Sequence, residues 1–239
     1  MKFALLLLGL WLNAACVHAA VESYTFTGTQ TIPDANPTGL SDTRTISSSS
    51  ITEISSVIVT LNISSGFNGD LYAYLRYGQG SSAPLSILLN RVGKESSSPT
   101  DLGYGDSGFQ IRFSDTAANG DIHTYRAVVG TPTTGQPLTG DWQVDGRSDH
   151  PAAGLTSDSR NADNFLSAFN GVSANGDWTL FIADVSSGGV SQLDSWGLEI
   201  TAVPEVTDLA LPIFAGIFIG GQIAMKVRAK RLKRTMQVM

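Results

Sequence analysis

Gly176-Asp177-Trp178-Thr179-Leu180-Phe181-Ile182-Ala183-Asp184 is followed, after a Gly188-Gly189 turn, by Leu193-Asp194-Ser195-Trp196-Gly197-Leu198-Glu199-Ile200, and these two runs decide the fold class. Trp178, Leu180 and Ile182 fall on alternate positions, as do Trp196, Leu198 and Ile200. A period of two places such residues on one face of a strand, and two such strands joined by glycines read as an antiparallel pair. Working back along the chain, the alternation returns in Val57/Val59/Leu61/Ile63, Leu71/Ala73/Leu75/Tyr77, Leu85/Ile87/Leu89 and Phe109/Ile111/Phe113. Turn residues separate the runs at Gly66-Phe67-Asn68-Gly69, Gly78-Gln79-Gly80, Asn119-Gly120 and Asn175-Gly176. Helical periodicity is nowhere sustained, and only residues 161–169 offer a short helical turn. The expectation is an all-β chain folded as an antiparallel β-sandwich.

Two segments echo each other, Gly140-Asp141-Trp142-Gln143-Val144 and Gly176-Asp177-Trp178-Thr179-Leu180. Their surroundings do not match, so they are no repeat array. Each reads as a tight turn that delivers a tryptophan into a strand, its aspartate satisfying turn amides.

Of the 239 residues, 42% are hydrophobic and 15% charged. Residues 1–20 read as a signal peptide: Lys2, an apolar run over 3–12 too short to span a bilayer, and small residues around Val17-His18-Ala19. Lipid attachment at Cys16 is the rival reading, weakened by Asn13 where such sites want an aliphatic residue. Export by cleavage removes Cys16, the only cysteine, and leaves His123 and His150 as the histidines. Disulfides, thiol proteases and zinc sites are thereby excluded. Between 21 and 203, eight basic side chains face nineteen acidic ones without a basic stripe, which argues against nucleic acid.

At the other end, Val203-Pro204-Glu205-Val206 precedes an apolar run over 209–225 and then Lys226, Arg228, Lys230, Arg231, Lys233 and Arg234. Seventeen apolar residues just cross a bilayer, and the bases hold their side in the cytoplasm. One reading is a permanent single transmembrane helix with the domain facing outward. The order of motif, span and basic cluster also resembles the PEP-CTERM sorting signal of Gram-negative bacteria, with Val206 where that family has proline. The resemblance implies that 204–234 is a sorting signal with Val203, Pro204 and Glu205 at its motif. It also implies signal peptidase and an exosortase as processing partners, with the membrane contacted at least transiently.

The domain between the ends, 21–203, resembles the P domain (P/Homo B domain) of subtilisin-like proprotein convertases. Val57-Ile58-Val59-Thr60-Leu61-Asn62-Ile63, Gly69-Asp70-Leu71-Tyr72-Ala73-Tyr74-Leu75 and the two runs quoted first carry the likeness, which is loosest across 94–108 and 145–170. It implies a jelly-roll β-sandwich of galactose-binding-like type, with Asp70, Asp177 and Asp184 as structural turn aspartates. Only 36 residues of the exported chain precede Val57, so the protease domain that usually comes before a P domain is not expected. Gly105-Asp106-Ser107-Gly108 matches the surroundings of a chymotrypsin-like nucleophile, but no histidine of the exported chain precedes Ser107. It reads as a turn, and the chain as non-catalytic.

Calcium is the cofactor this composition suggests, since hard cations take six to eight oxygens from carboxylates and loop carbonyls. Asp101, Asp106, Asp115 and Asp121 lie in one turn-rich stretch and form the expected ligand set; Asp141, Asp145, Asp149, Asp158 and Asp163 form a second group. Neither has the EF-hand spacing. Tyr72, Tyr74 and Tyr125 sit opposite apolar neighbours. Packing beneath the second sheet is the favoured reading for them, with an exposed sugar platform as the alternative. The function expected is a structural, adhesive or binding module at the cell surface or in extracellular matrix. The alternatives are an accessory to a separate subtilisin-like serine endopeptidase, a module for envelope polysaccharide, and a hydrolase working through an aspartate pair.

Overall fold

Nine strands make two sheets in the computed structural model, which describes residues 19–95, 100–148 and 159–204. The strands are β1 (Val21–Thr31), β2 (Asn36–Ile46), β3 (Ile54–Ser64), β4 (Leu71–Tyr77), β5 (Leu85–Asn90), β6 (Phe109–Phe113), β7 (Leu138–Trp142), β8 (Gly176–Asp184) and β9 (Gln192–Ala202). One sheet has the order β1-β9-β3-β6-β7 and the other β2-β8-β4-β5. All strands belong to the unit Ala20–Val203. No helix among the described residues is long and apolar enough to cross a membrane. Residues 1–18 of the export signal expected over 1–20, and residues 205–234 of the sorting signal expected over 204–234, with Lys226, Arg228, Lys230, Arg231, Lys233 and Arg234, lie outside the described residues.

Alternation does what the sequence leads one to expect. In β3, Val57, Val59, Leu61 and Ile63 are buried while Ile58, Thr60 and Asn62 stand on the opposite face. Leu71, Ala73 and Leu75 of β4 and Phe109, Ile111 and Phe113 of β6 complete the same core. Trp142, Trp178 and Trp196 are fully buried within it. A buried indole must place its N–H, and each does: Trp142 donates to the Thr139 carbonyl at 3.0 Å, Trp178 to that of Ala174 at 3.1 Å, and Trp196 to Asp42 Oδ2 at 2.7 Å.

Three expectations need correcting. The sandwich is not wholly antiparallel, because β6 and β7 pair in parallel from Phe109↔Leu138 to Phe113↔Trp142. A parallel pair needs a long return, and the 24 residues between these strands supply it, with a helical turn at Ile122–Thr124 and a short helix α1 (Arg126–Val129). The two tryptophan echoes also differ: Gly176 opens β8, whereas Gly140-Asp141-Trp142 closes β7. Asp177 accepts the Thr45 hydroxyl across the sheet at 2.7 Å rather than turn amides. The helical turn expected over 161–169 is present as two 3-10 turns, Ala162–Asn164 and Leu166–Phe169.

After β7 the chain leaves its own sheet and runs along the open edge of the other. The amides of Asp145 and Gly146 donate to the carbonyls of Leu88 and Ile87 at 3.1 and 3.0 Å. Edge strand β5 is thus covered by backbone, one of the ways in which proteins prevent edge-to-edge association. The crossing also carries Asp145 and Arg147 into the sandwich, where the polar groups discussed next are assembled.

Candidate functional site

The four aspartates expected to share a calcium ion stand in separate settings. Asp106 is held bidentately by Arg126, at 2.7 and 2.8 Å, and accepts the Tyr125 hydroxyl at 2.6 Å. Asp115 accepts the amides of Leu166 and Ser167 at 3.0 and 2.7 Å, capping the second 3-10 turn. Asp121 accepts the His123 amide at 2.9 Å and pairs with Arg147 at 3.0 Å. Asp101 closes a turn on the Gly103 amide at 3.0 Å. Among the described residues no group of three or more His, Cys, Asp or Glu is placed to hold a metal ion. The expected ligand set is therefore corrected: three of its members cap backbone amides and the fourth is the partner of an arginine. Of the second group, Asp149 and Asp158 lie outside the described residues.

His123 is 4% exposed and both ring nitrogens are engaged. Nδ1 lies 2.7 Å from Asp145 Oδ2, and Nε2 lies 2.8 Å from the Lys94 carbonyl oxygen. Burial pulls its pKa down, but the hydrogen bond and charge of Asp145 outweigh this and raise it above the ordinary 6.5. Arg147 bridges the carboxylates of Asp145 and Asp121 at 3.1 and 3.0 Å. Sequence reading left this group unassembled because its members come from positions 94, 121–123 and 145–147, far apart along the chain.

Asp184 closes β8 on its core-facing side, fully buried, beside Asp70, which is 4% exposed. Its Oδ1 takes the Ser186 amide at 3.4 Å, while its Oδ2 has no hydrogen-bond partner. Burial, with the charges of Asp70 and Asp34, pushes Asp184 up to about 6 against a backbone bond and the charge of Arg91 that lower it. Asp184 thus holds a turn amide with one oxygen and keeps the other buried without a hydrogen bond.

The solvent face of the four-stranded sheet carries the aromatic side chains. Tyr72 and Tyr74 point away from the core side of β4 and are half-buried. Tyr74 stacks on Phe181 of β8, ring centroids 4.8 Å apart and planes at 15°. Tyr72 stands edge-on to both, at 6.1 and 6.3 Å. Burial, with the charges of Tyr74 and Asp145, pushes the Tyr72 pKa up to about 12. A Thr43–Thr179 hydroxyl pair at 2.9 Å lies farther along β8, where it pairs with β2. The favoured expectation that the second sheet packs on Tyr72 and Tyr74 is overturned, since Leu71, Ala73 and Leu75 take that position. Tyr125 goes the other way: it lies before α1, fully buried, with its ring against Tyr104 and Trp142.

These observations define a two-sheet β-sandwich with buried ion pairs in its loops and an aromatic patch on one outer face. No protein-family model matches the chain, and no curated protein matches it. Among solved structures it is similar to the serine protease of Aeromonas sobria, alone and in the crystal structure of its complex with a chaperone. The likeness has 17% identity and a TM-score of 0.42, and it covers 77% of this chain and 27% of that one.

Proposed function

We propose that this chain is an exported, non-catalytic β-sandwich that works as a binding or adhesive module at the cell surface or in extracellular matrix. The observation that carries this reading is the aromatic patch of Tyr72, Tyr74 and Phe181 on a solvent face, since large apolar rings left outside a complete core mark interaction surfaces. The jelly-roll, P-domain-like reading is supported by the strand order, in which β1-β9-β3-β6 face β2-β8-β4-β5. Export by residues 1–20 and exosortase sorting by 204–234 complete the proposal. It fits a sandwich whose first and last strands pair, from Val21↔Thr201, and whose Ala202 amide donates to the Ala20 carbonyl at 2.8 Å.

Intact mass of the native protein from envelope and medium tests the sorting. A C-terminus near residues 202–206, with or without an added mass, supports exosortase processing. A chain still ending at Met239 makes this a membrane-anchored surface domain. The choice of ligand is tested separately, by binding to the polysaccharide of the same envelope. Tyr74→Ala, which removes half of the stacked pair, is expected to weaken retention at least about tenfold, as loss of an aromatic anchor does. Equal binding by wild type and variant would remove the patch from the account.

A further inference from the structure

We propose that His123 is a proton-operated latch across the loops of the sandwich, closed when its ring carries two protons and released when it carries one. A backbone carbonyl only accepts, so the Lys94 oxygen 2.8 Å from Nε2 requires an N–H there. An ionised carboxylate also only accepts, so Asp145 Oδ2 at 2.7 Å requires a second N–H on Nδ1. A neutral imidazole has one N–H and satisfies one of the two. The ring that fits this geometry is the imidazolium, bridging the crossing segment after β7 to the loop after β5.

Of the neighbouring charges, Asp145 favours that state and outweighs Arg147, which opposes it. From its own segment, Asp121 takes the His123 amide. From the crossing segment come Asp145 and Arg147, the latter shared between Asp145 and Asp121. Arg160 approaches the same segment, donating to the carbonyls of Val144 and Asp145 at 2.6 and 3.2 Å. From the loop after β5, the Lys94 ammonium reaches the Asp101 carbonyl, and the Arg91 guanidinium bonds Ser186 at 2.9 Å. Asp145 Oδ2 also takes the Asn90 amide at 3.2 Å, which keeps the carboxylate in place when the ring loses its proton. The carbonyl side is then the one released. A lone pair on Nε2 would face the Lys94 oxygen, and the Gly93 amide on the His123 carbonyl, at 2.8 Å, would be the neighbouring bond exposed to that repulsion.

The test is the full chain labelled with 15N-histidine and followed from pH 5 to 10, together with amide exchange at Gly93. The imidazolium form of His123 is expected to predominate at pH 6.5 and to be lost as pH rises further. Gly93 exchange is expected to rise at least about tenfold beyond the chemical rise with pH over the same interval, the mark of local opening. The His123→Gln variant, which cannot change protonation, is expected to lose that excess. A neutral ring at pH 6.5, or a titration that leaves Gly93 exchange on its chemical slope, overturns the proposal. The wild-type titration decides it even if the variant does not fold.

Discussion

Gly69 shows how closely single positions are specified. A Cβ there would lie 2.5 Å from the Leu102 carbonyl oxygen and 2.6 Å from the Tyr104 amide nitrogen, both backbone atoms that cannot swing aside. Gly69→Ala is expected to cost about 1–3 kcal/mol by overpacking, measured by denaturant unfolding. Asp106 is a second such position, because it serves Arg126 and Tyr125 together. Asp106→Ala leaves both without their acceptor and is expected to cost about 3 kcal/mol. Tyr125→Phe removes two hydrogen bonds, the one it donates to Asp106 and the one it accepts from Asn68, and should cost about 2 kcal/mol. If both variants unfold at the same denaturant concentration, the ion pair contributes nothing beyond the hydroxyl. The sequence flagged Asp106 for calcium and as part of a protease-like tetrapeptide; its true partner, Arg126, is twenty residues away and carries no local signal.

Among the elements, the central strands were legible and, of the edge strands, β5 was, through Leu85, Ile87 and Leu89. β3, β4, β6, β8 and β9 alternate because one face of each meets the core. β2, at the edge of its sheet, brings Leu40 and Ile46 as its aliphatic residues and gives no period to read. The parallel pairing of β7 was hidden for a related reason, since its direction is set by the long return and not by its five residues. At the end of β8, Asp184 gives an element-level prediction. Its folded pKa of about 6 lies above the ordinary 3.8, so between these values the folded chain keeps a proton that the unfolded chain has lost. Stability from this group is therefore full below pH 3.8 and falls as pH rises towards 6. Asp184→Asn removes that titration. It is expected to stabilise the protein above pH 6 by on the order of 2 kcal/mol and to flatten the decline between pH 4 and 6. A variant less stable than wild type at pH 8 would mean that the ionised carboxylate has a partner it needs.

At the level of the molecule, the sandwich was readable from alternation, whereas its buried charges were not, because they meet only after the chain crosses from one sheet to the edge of the other. Buried Asp184 and His123, with partly exposed Glu22, act together on the response to pH. Hydrogen bonds from Tyr24, Ser49 and Ser50 hold Glu22 down at about 2 against the ordinary 4.5, so its contribution is full above 4.5 and is lost as pH falls towards 2. Asp184 withdraws stability between 3.8 and 6. His123, raised above 6.5, contributes fully below that value and loses its contribution as pH rises through its folded pKa. The first group limits stability on the acid side and the other two limit it towards neutrality and beyond. The melting temperature is expected to peak in mild acid, at about pH 4–5, and to fall on both sides. Melts from pH 3 to 9 at constant ionic strength measure this directly. His123→Gln should remove the decline above pH 6.5, and Asp184→Asn the decline below pH 6, each leaving the other in place because the two groups share no partner. A wild-type maximum at pH 7 or higher would mean that neither buried group holds its proton as this geometry requires.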